Sequence, residues 1–114
     1  MEKKINSYRD LIVWQKAMDL VIKIYQLTEN FPKEEVYGLT SQMRRAAVSI
    51  ASNIAEGKSR GFRKEYRQFL STAYGSGAEL ETQIEIAKKL PKIKNLDFNE
   101  CMELLDEVMK MLNV

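Results

Sequence analysis

Residues 39–57 read LTSQMRRAAVSIASNIAEG, and the spacing within this stretch decides the fold class. Leu39, Met43, Ala46, Ile50 and Ile54 recur every three or four residues, which puts them on one stripe of an α-helix. Beside that stripe runs a ladder of Ala47, Ala51 and Ala55, whose small side chains let a neighbouring helix come close. A polar series, Gln42, Arg45, Ser49, Asn53 and Glu56, stands on one flank and borders the apolar face. Two readings of this series are open: a boundary network tying the helix to its neighbours, or a polar seam facing another subunit or a partner. Pro32 suits the start of this helix and Gly57 its stop, so the predicted span is residues 33–56.

Three further helices are expected around it. Upstream, residues 8–29 carry two apolar rows. One is Leu11, Trp14, Met18, Val21 and Tyr25; the other is Val13, Ala17, Leu20, Ile24 and Leu27. A helix needing cover on two sides points to burial in an oligomer interface. Ser7 and Asp10 are spaced as a capping pair at its start. Downstream, residues 61–90 place Phe62, Tyr66, Phe69, Ala73, Gly77, Leu80, Ile84 and Ala87 on one arc, ending before Pro91. Gly75 and Gly77 interrupt that helix, each at a cost of about 1 kcal/mol relative to alanine, so a packing reason is expected for both. Asp97 and Glu100 resemble a capping box for a last helix over residues 97–113. No segment has strand periodicity. Four helices with short connections predict an all-α, single-domain, antiparallel up-down four-helix bundle.

Composition narrows the chemistry. The 114 residues are 45% hydrophobic and 30% charged, as in ordinary globular domains. There is no histidine, which removes the commonest general base and the commonest transition-metal ligand together. Cys101 is the one cysteine; it lies on an apolar stripe and reads as a small buried hydrophobe. It fits a reducing compartment, and no apolar run reaches the roughly 20 residues that a membrane span needs. A cytoplasmic protein without membrane attachment is expected. Gly57-Lys58-Ser59 mimics the end of a phosphate-binding loop, but Ser52 stands where the first glycine belongs, and the segment ends a helix. We expect no catalytic residues, no metal site, no cofactor and no enzymatic activity.

The net charge is only +2, yet it is unevenly spread. Residues 44–67 hold Arg44, Arg45, Lys58, Arg60, Arg63, Lys64 and Arg67 against only Glu56 and Glu65. The cations from Lys58 to Arg67 surround a glycine-flanked turn and the start of a helix, whose exposed N–H groups and dipole attract phosphate. Contact with RNA or DNA backbone through Lys58, Arg60, Arg63, Lys64 and Arg67, joined by Arg44, is one reading; a solvated basic turn is the other. No aromatic-rich stacking platform is evident in the sequence.

Several words of the sequence also carry a family resemblance. They are Leu11–Leu20 (LIVWQKAMDL), Phe31–Ile50 (FPKEEVYGLTSQMRRAAVSI), Ser52–Gly57 (SNIAEG) and Gly75–Gln83 (GSGAELETQ). Over about residues 8–90 the chain resembles the bacterial four-helix-bundle proteins first noticed as reading frames inside intervening sequences of 23S rRNA genes. The resemblance implies a bundle that assembles as a ring-like homopentamer. It also implies similarity in fold to the accessory protein of diversity-generating retroelements, which partners a reverse transcriptase and nucleic acid. It supplies no catalytic residues. Two functions are therefore expected as alternatives: an oligomeric nucleic-acid binder, or a protein-interaction scaffold without nucleic acid.

Overall fold

The computed structural model describes residues 7–113. In chain order, α1 spans Ile12–Thr28, α2 Leu39–Ser59, α3 Arg63–Ala87 and α4 Asn99–Leu112. Short 3₁₀ turns at Tyr8–Asp10 and Lys33–Glu35 precede α1 and α2, and no strand occurs among the described residues.

The stripe that predicted α2 is its buried face: Leu39, Met43, Ala46, Ile50 and Ile54 are all in the core. Ala47 and Ala51 are buried beside it. α2 packs against α1 and α3, and α4 closes the ring by packing against α3 and α1, while the backbones of the diagonal pairs stay apart. Direction follows from paired residues. Ser49 meets Ser76, and Gly57 lies against Phe69, so α2 and α3 run antiparallel. Lys16 pairs with Glu107 and Lys23 with Glu100, so α1 and α4 do the same. Gly77 faces Met109 and Lys88 reaches Met102, which fixes α3 against α4. The result is an all-α bundle extending 54 × 25 × 21 Å, with all consecutive helices joined at its ends.

The boundaries differ from the expected ones for local reasons. Residues 8–29 are not one helix. Ser7 accepts the Arg9 N–H, making a 3₁₀ turn, and Leu11 is extended (φ −76°, ψ 126°) before α1 starts. The turn lets the Tyr8 ring meet Trp14 edge-on, with centroids 5.1 Å apart. Gly38 has ψ −111°, outside the helical range, which separates the turn at Lys33–Glu35 from α2. The Glu35 carboxylate accepts the Leu39 N–H at that start. At the far end α2 runs through Gly57 to Ser59, so Gly57 is not a stop. Gly61 ends the segment instead, with φ 79° in the left-handed region that suits glycine. α3 ends at Ala87, earlier than expected, because Pro91 cannot donate to the Ala87 carbonyl and disfavours a helical Leu90. In the connection that follows, Ile93 and Phe98 turn inward and cover the core. Asp97 accepts the Asn99 N–H at 2.9 Å, but Glu100 pairs with Lys23 rather than completing a capping box.

The two apolar rows of α1 have most of their cover within the chain. Ala17, Leu20, Ile24 and Leu27 are buried, and Leu11, Trp14 and Val21 pack against the core. Met18 and Tyr25, from the row that also holds Trp14 and Val21, stay exposed, as do Ile12 and Ile22 on the outer face.

Candidate nucleic-acid interface

Residues 60–62 join α2 to α3 at one tip of the bundle. The connection is this short because α2 and α3 approach closely below it. A methyl group on Gly57 would stand 2.5 Å from the Cβ of Phe69 and 3.2 Å from the Tyr66 ring. Only hydrogen fits there. Gly61 caps the tip, and a side chain at that position would meet nothing within 4 Å, so its surface is open.

The five cations of the turn are not equivalent. Lys58, in the last turn of α2, holds its ammonium 5.7 Å from the centroid of the Tyr66 ring. Arg60 is bound on both sides, to Glu56 at 2.8 Å and Glu65 at 3.6 Å, with its guanidinium 5.3 Å from the Phe69 ring centroid. The hydrogen bond that Arg60 donates to the Glu56 carboxylate holds its guanidinium above its ordinary pKa. Arg63, Lys64 and Arg67 are exposed and make no ion pair among the described residues. They occupy the first turns of α3, where the helix has no side-chain cap and its unpaired N–H groups add positive potential. Arg63 and Arg67 stand one turn apart. They edge a cleft that continues past Leu70 and Tyr74 to Met111 of α4.

Arg44 is not part of this group. Fourteen residues separate it from Lys58, which is about 21 Å along a helix rising about 1.5 Å per residue. Its Nε donates to Thr28 Oγ1 at 2.8 Å, and its guanidinium lies 4.4 Å from the Tyr25 ring centroid. Arg44 therefore fastens the C-terminal end of α1 to α2.

The polar series on α2 splits in the same way. Ser49 and Ser76 share a hydrogen bond of 2.9 Å between α2 and α3, and Asn53 donates to the Ser49 carbonyl at 2.8 Å. Those two residues form a boundary network. Glu56 belongs to the Arg60 brace, while Gln42 and Arg45 are exposed.

The family profile described as 23S rRNA-intervening sequence protein matches residues 9–114. The chain belongs to that family. Sequence comparison with curated proteins yields no match. The family match extends through α4, beyond the residue-by-residue resemblance that ends near residue 90.

Sequence periodicity misplaced one residue of this 23S rRNA-intervening sequence family member. Phe62 falls on the core arc of α3 when counted at 100° per residue, yet it precedes the helix and is 68% exposed. The large apolar ring thus projects among cations at the tip. Its spacing gave no warning, because a helical count cannot show that the bundle ends before the ring reaches a neighbour. Elsewhere the chemistry is quiet. Cys101 is buried, and desolvation pushes its thiol pKa up to about 11, the opposite of an activated nucleophile. Among the described residues no group of three or more acidic, cysteine or histidine side chains is placed to hold a metal ion. No helix there is long and apolar enough to cross a membrane.

Proposed function

We propose that the protein is a non-enzymatic, oligomeric binder of RNA or DNA backbone that works in the cytoplasm. One observation carries the proposal: Arg63, Lys64 and Arg67 stand exposed, without ion-pair partners among the described residues, around an uncapped helix N-terminus. Unpaired cations held on a rigid helix retain their full attraction for phosphate, whereas cations already bridged to carboxylates do not. Lys58 supports the same surface from α2. Arg60 serves as its brace. Contact of this kind fixes position on a nucleic acid and reads no base edges, so binding is largely independent of sequence.

Self-association is the second part of the proposal. Ile12, Ile22, Met18 and Tyr25 leave apolar surface on α1 for another copy to cover, in keeping with the homopentamer that the family resemblance implies. Repeating the basic tip around a ring would turn a weak single contact into useful avidity.

The test is a titration of labelled RNA and duplex DNA with the parent and with a variant carrying Arg63→Glu, Lys64→Glu and Arg67→Glu. Light scattering confirms that both have one oligomeric size. The proposal expects binding by the parent and its loss in the variant. Absence of binding by the parent at low salt would favour the rival function, a scaffold for protein partners.

A further inference from the structure

We infer that the basic tip is built for single-stranded nucleic acid, with an unpaired base stacking on the ring of Phe62. The inference rests on the phosphate-binding reading above and names the ligand class of that same surface.

Three observations lead to it. First, Phe62 is 68% exposed, although apolar side chains of its size are normally drawn into the core. It makes no contribution to the hydrophobic core, so stability does not account for it. Second, its surroundings are cationic and concave: Lys58, Arg63 and Tyr66 line a small cleft with it at the tip. An isolated exposed aromatic ring could serve many partners, but one set beside the cations Lys58 and Arg63 matches the two surfaces of a nucleotide, a flat apolar base and an anionic phosphate. Third, the neighbouring Gly61 has open space where a side chain would be, which leaves the approach to the ring clear.

Geometry then separates single strands from duplex. In a duplex the base faces are already stacked, and only edges and phosphates are offered to a protein. A single strand can place one phosphate on the N-terminal turns of α3 and swing the adjoining base onto Phe62. Every base has a π-face, so the contact tolerates any sequence.

The experiment measures affinity for an unstructured single-stranded RNA, the same sequence as single-stranded DNA, and its duplex. The proteins are the parent, Phe62→Leu and Phe62→Trp. Stacking predicts that Phe62→Leu loses roughly 5- to 100-fold on both single strands and changes by less than about twofold on duplex. Its salt dependence should match the parent's, since no charge is removed. Phe62→Trp should retain single-strand affinity. Equal single-strand binding by Phe62→Leu and the parent would overturn the stacking role while leaving the phosphate surface intact. A changed oligomeric size in Phe62→Leu would also overturn it, by assigning the ring to contact between copies. Failure of the parent to bind any of the three nucleic acids would defeat the underlying reading, and this inference with it.

Discussion

Gly57 of α2 and Phe69 of α3 lie in direct contact, so close that a Cβ on the glycine would sit 2.5 Å from the Cβ of the phenylalanine. That contact sets the helix spacing just below the basic tip and permits a three-residue connection over 60–62. The obstructing atom is attached to the α3 backbone and cannot rotate away. Gly57→Ala should therefore destabilise the bundle by about 1–3 kcal/mol, despite alanine's better helix propensity. Urea denaturation of parent and variant checks this.

Gly75 predicts the opposite sign. It too lies inside a helix, but it is exposed and a Cβ there would meet nothing within 4 Å. Gly75→Ala should stabilise the protein by about 0.5–1 kcal/mol through helix propensity and a less flexible unfolded chain. A fall in stability would show that α3 is not helical through residue 75 in solution.

The contrast between those two glycines marks how far the sequence is legible. The stripe of Leu39, Met43, Ala46, Ile50 and Ile54 revealed α2 because a buried helix face must repeat every 3.6 residues. Short connections then implied antiparallel neighbours. What a neighbour does at a given level of the bundle is not written in that period. Gly57 and Gly75 look alike in sequence, one touching Phe69 and the other touching solvent. Trp14 and Val21 read as an unpartnered second face of α1, yet α1 lies between α2 and α4, so much of that face is covered within the chain. The candidate site shows the same limit. The density of cations from Lys58 to Arg67 was visible, but the capture of Arg60 by Glu56 and Glu65, the distance of Arg44 and the exposure of Phe62 depend on the fold.

Arg60 and Arg63 should behave differently when each is shortened to alanine. Arg60 is bridged to two carboxylates, so Arg60→Ala should weaken binding less than Arg63→Ala does, and chiefly by leaving Glu56 and Glu65 unneutralised beside the phosphates. Arg63→Ala removes a cation that has no ion-pair partner among the described residues and should reduce the slope of log affinity against log salt by about one. Anisotropy titrations at several salt concentrations distinguish the two.

Cys101 gives the fold a pH dependence on the alkaline side. Burial raises its thiol to about 11 in the folded state, against about 8.5 in an unfolded chain. Below pH 8.5 both states keep the proton and the stabilisation is complete. As pH rises toward 11 the unfolded chain ionises first, so stability falls, by on the order of 2 kcal/mol from this group. The decline between pH 8 and pH 10.5 should be smaller in Cys101→Ala than in the parent. Equal declines would mean that the thiol is not buried.

The salt dependence of nucleic-acid binding tests the central claim most directly. If Arg63, Lys64 and Arg67 each neutralise one phosphate, log affinity for duplex DNA should fall against log salt with a slope of about −2.7 per engaged protomer. That corresponds to roughly a fortyfold loss per protomer between 50 and 200 mM salt. The triple charge reversal at these positions should abolish binding without altering oligomeric size. Binding with a slope near zero, or a parent-like slope in the triple variant, would contradict the assignment of this tip as a phosphate-binding surface.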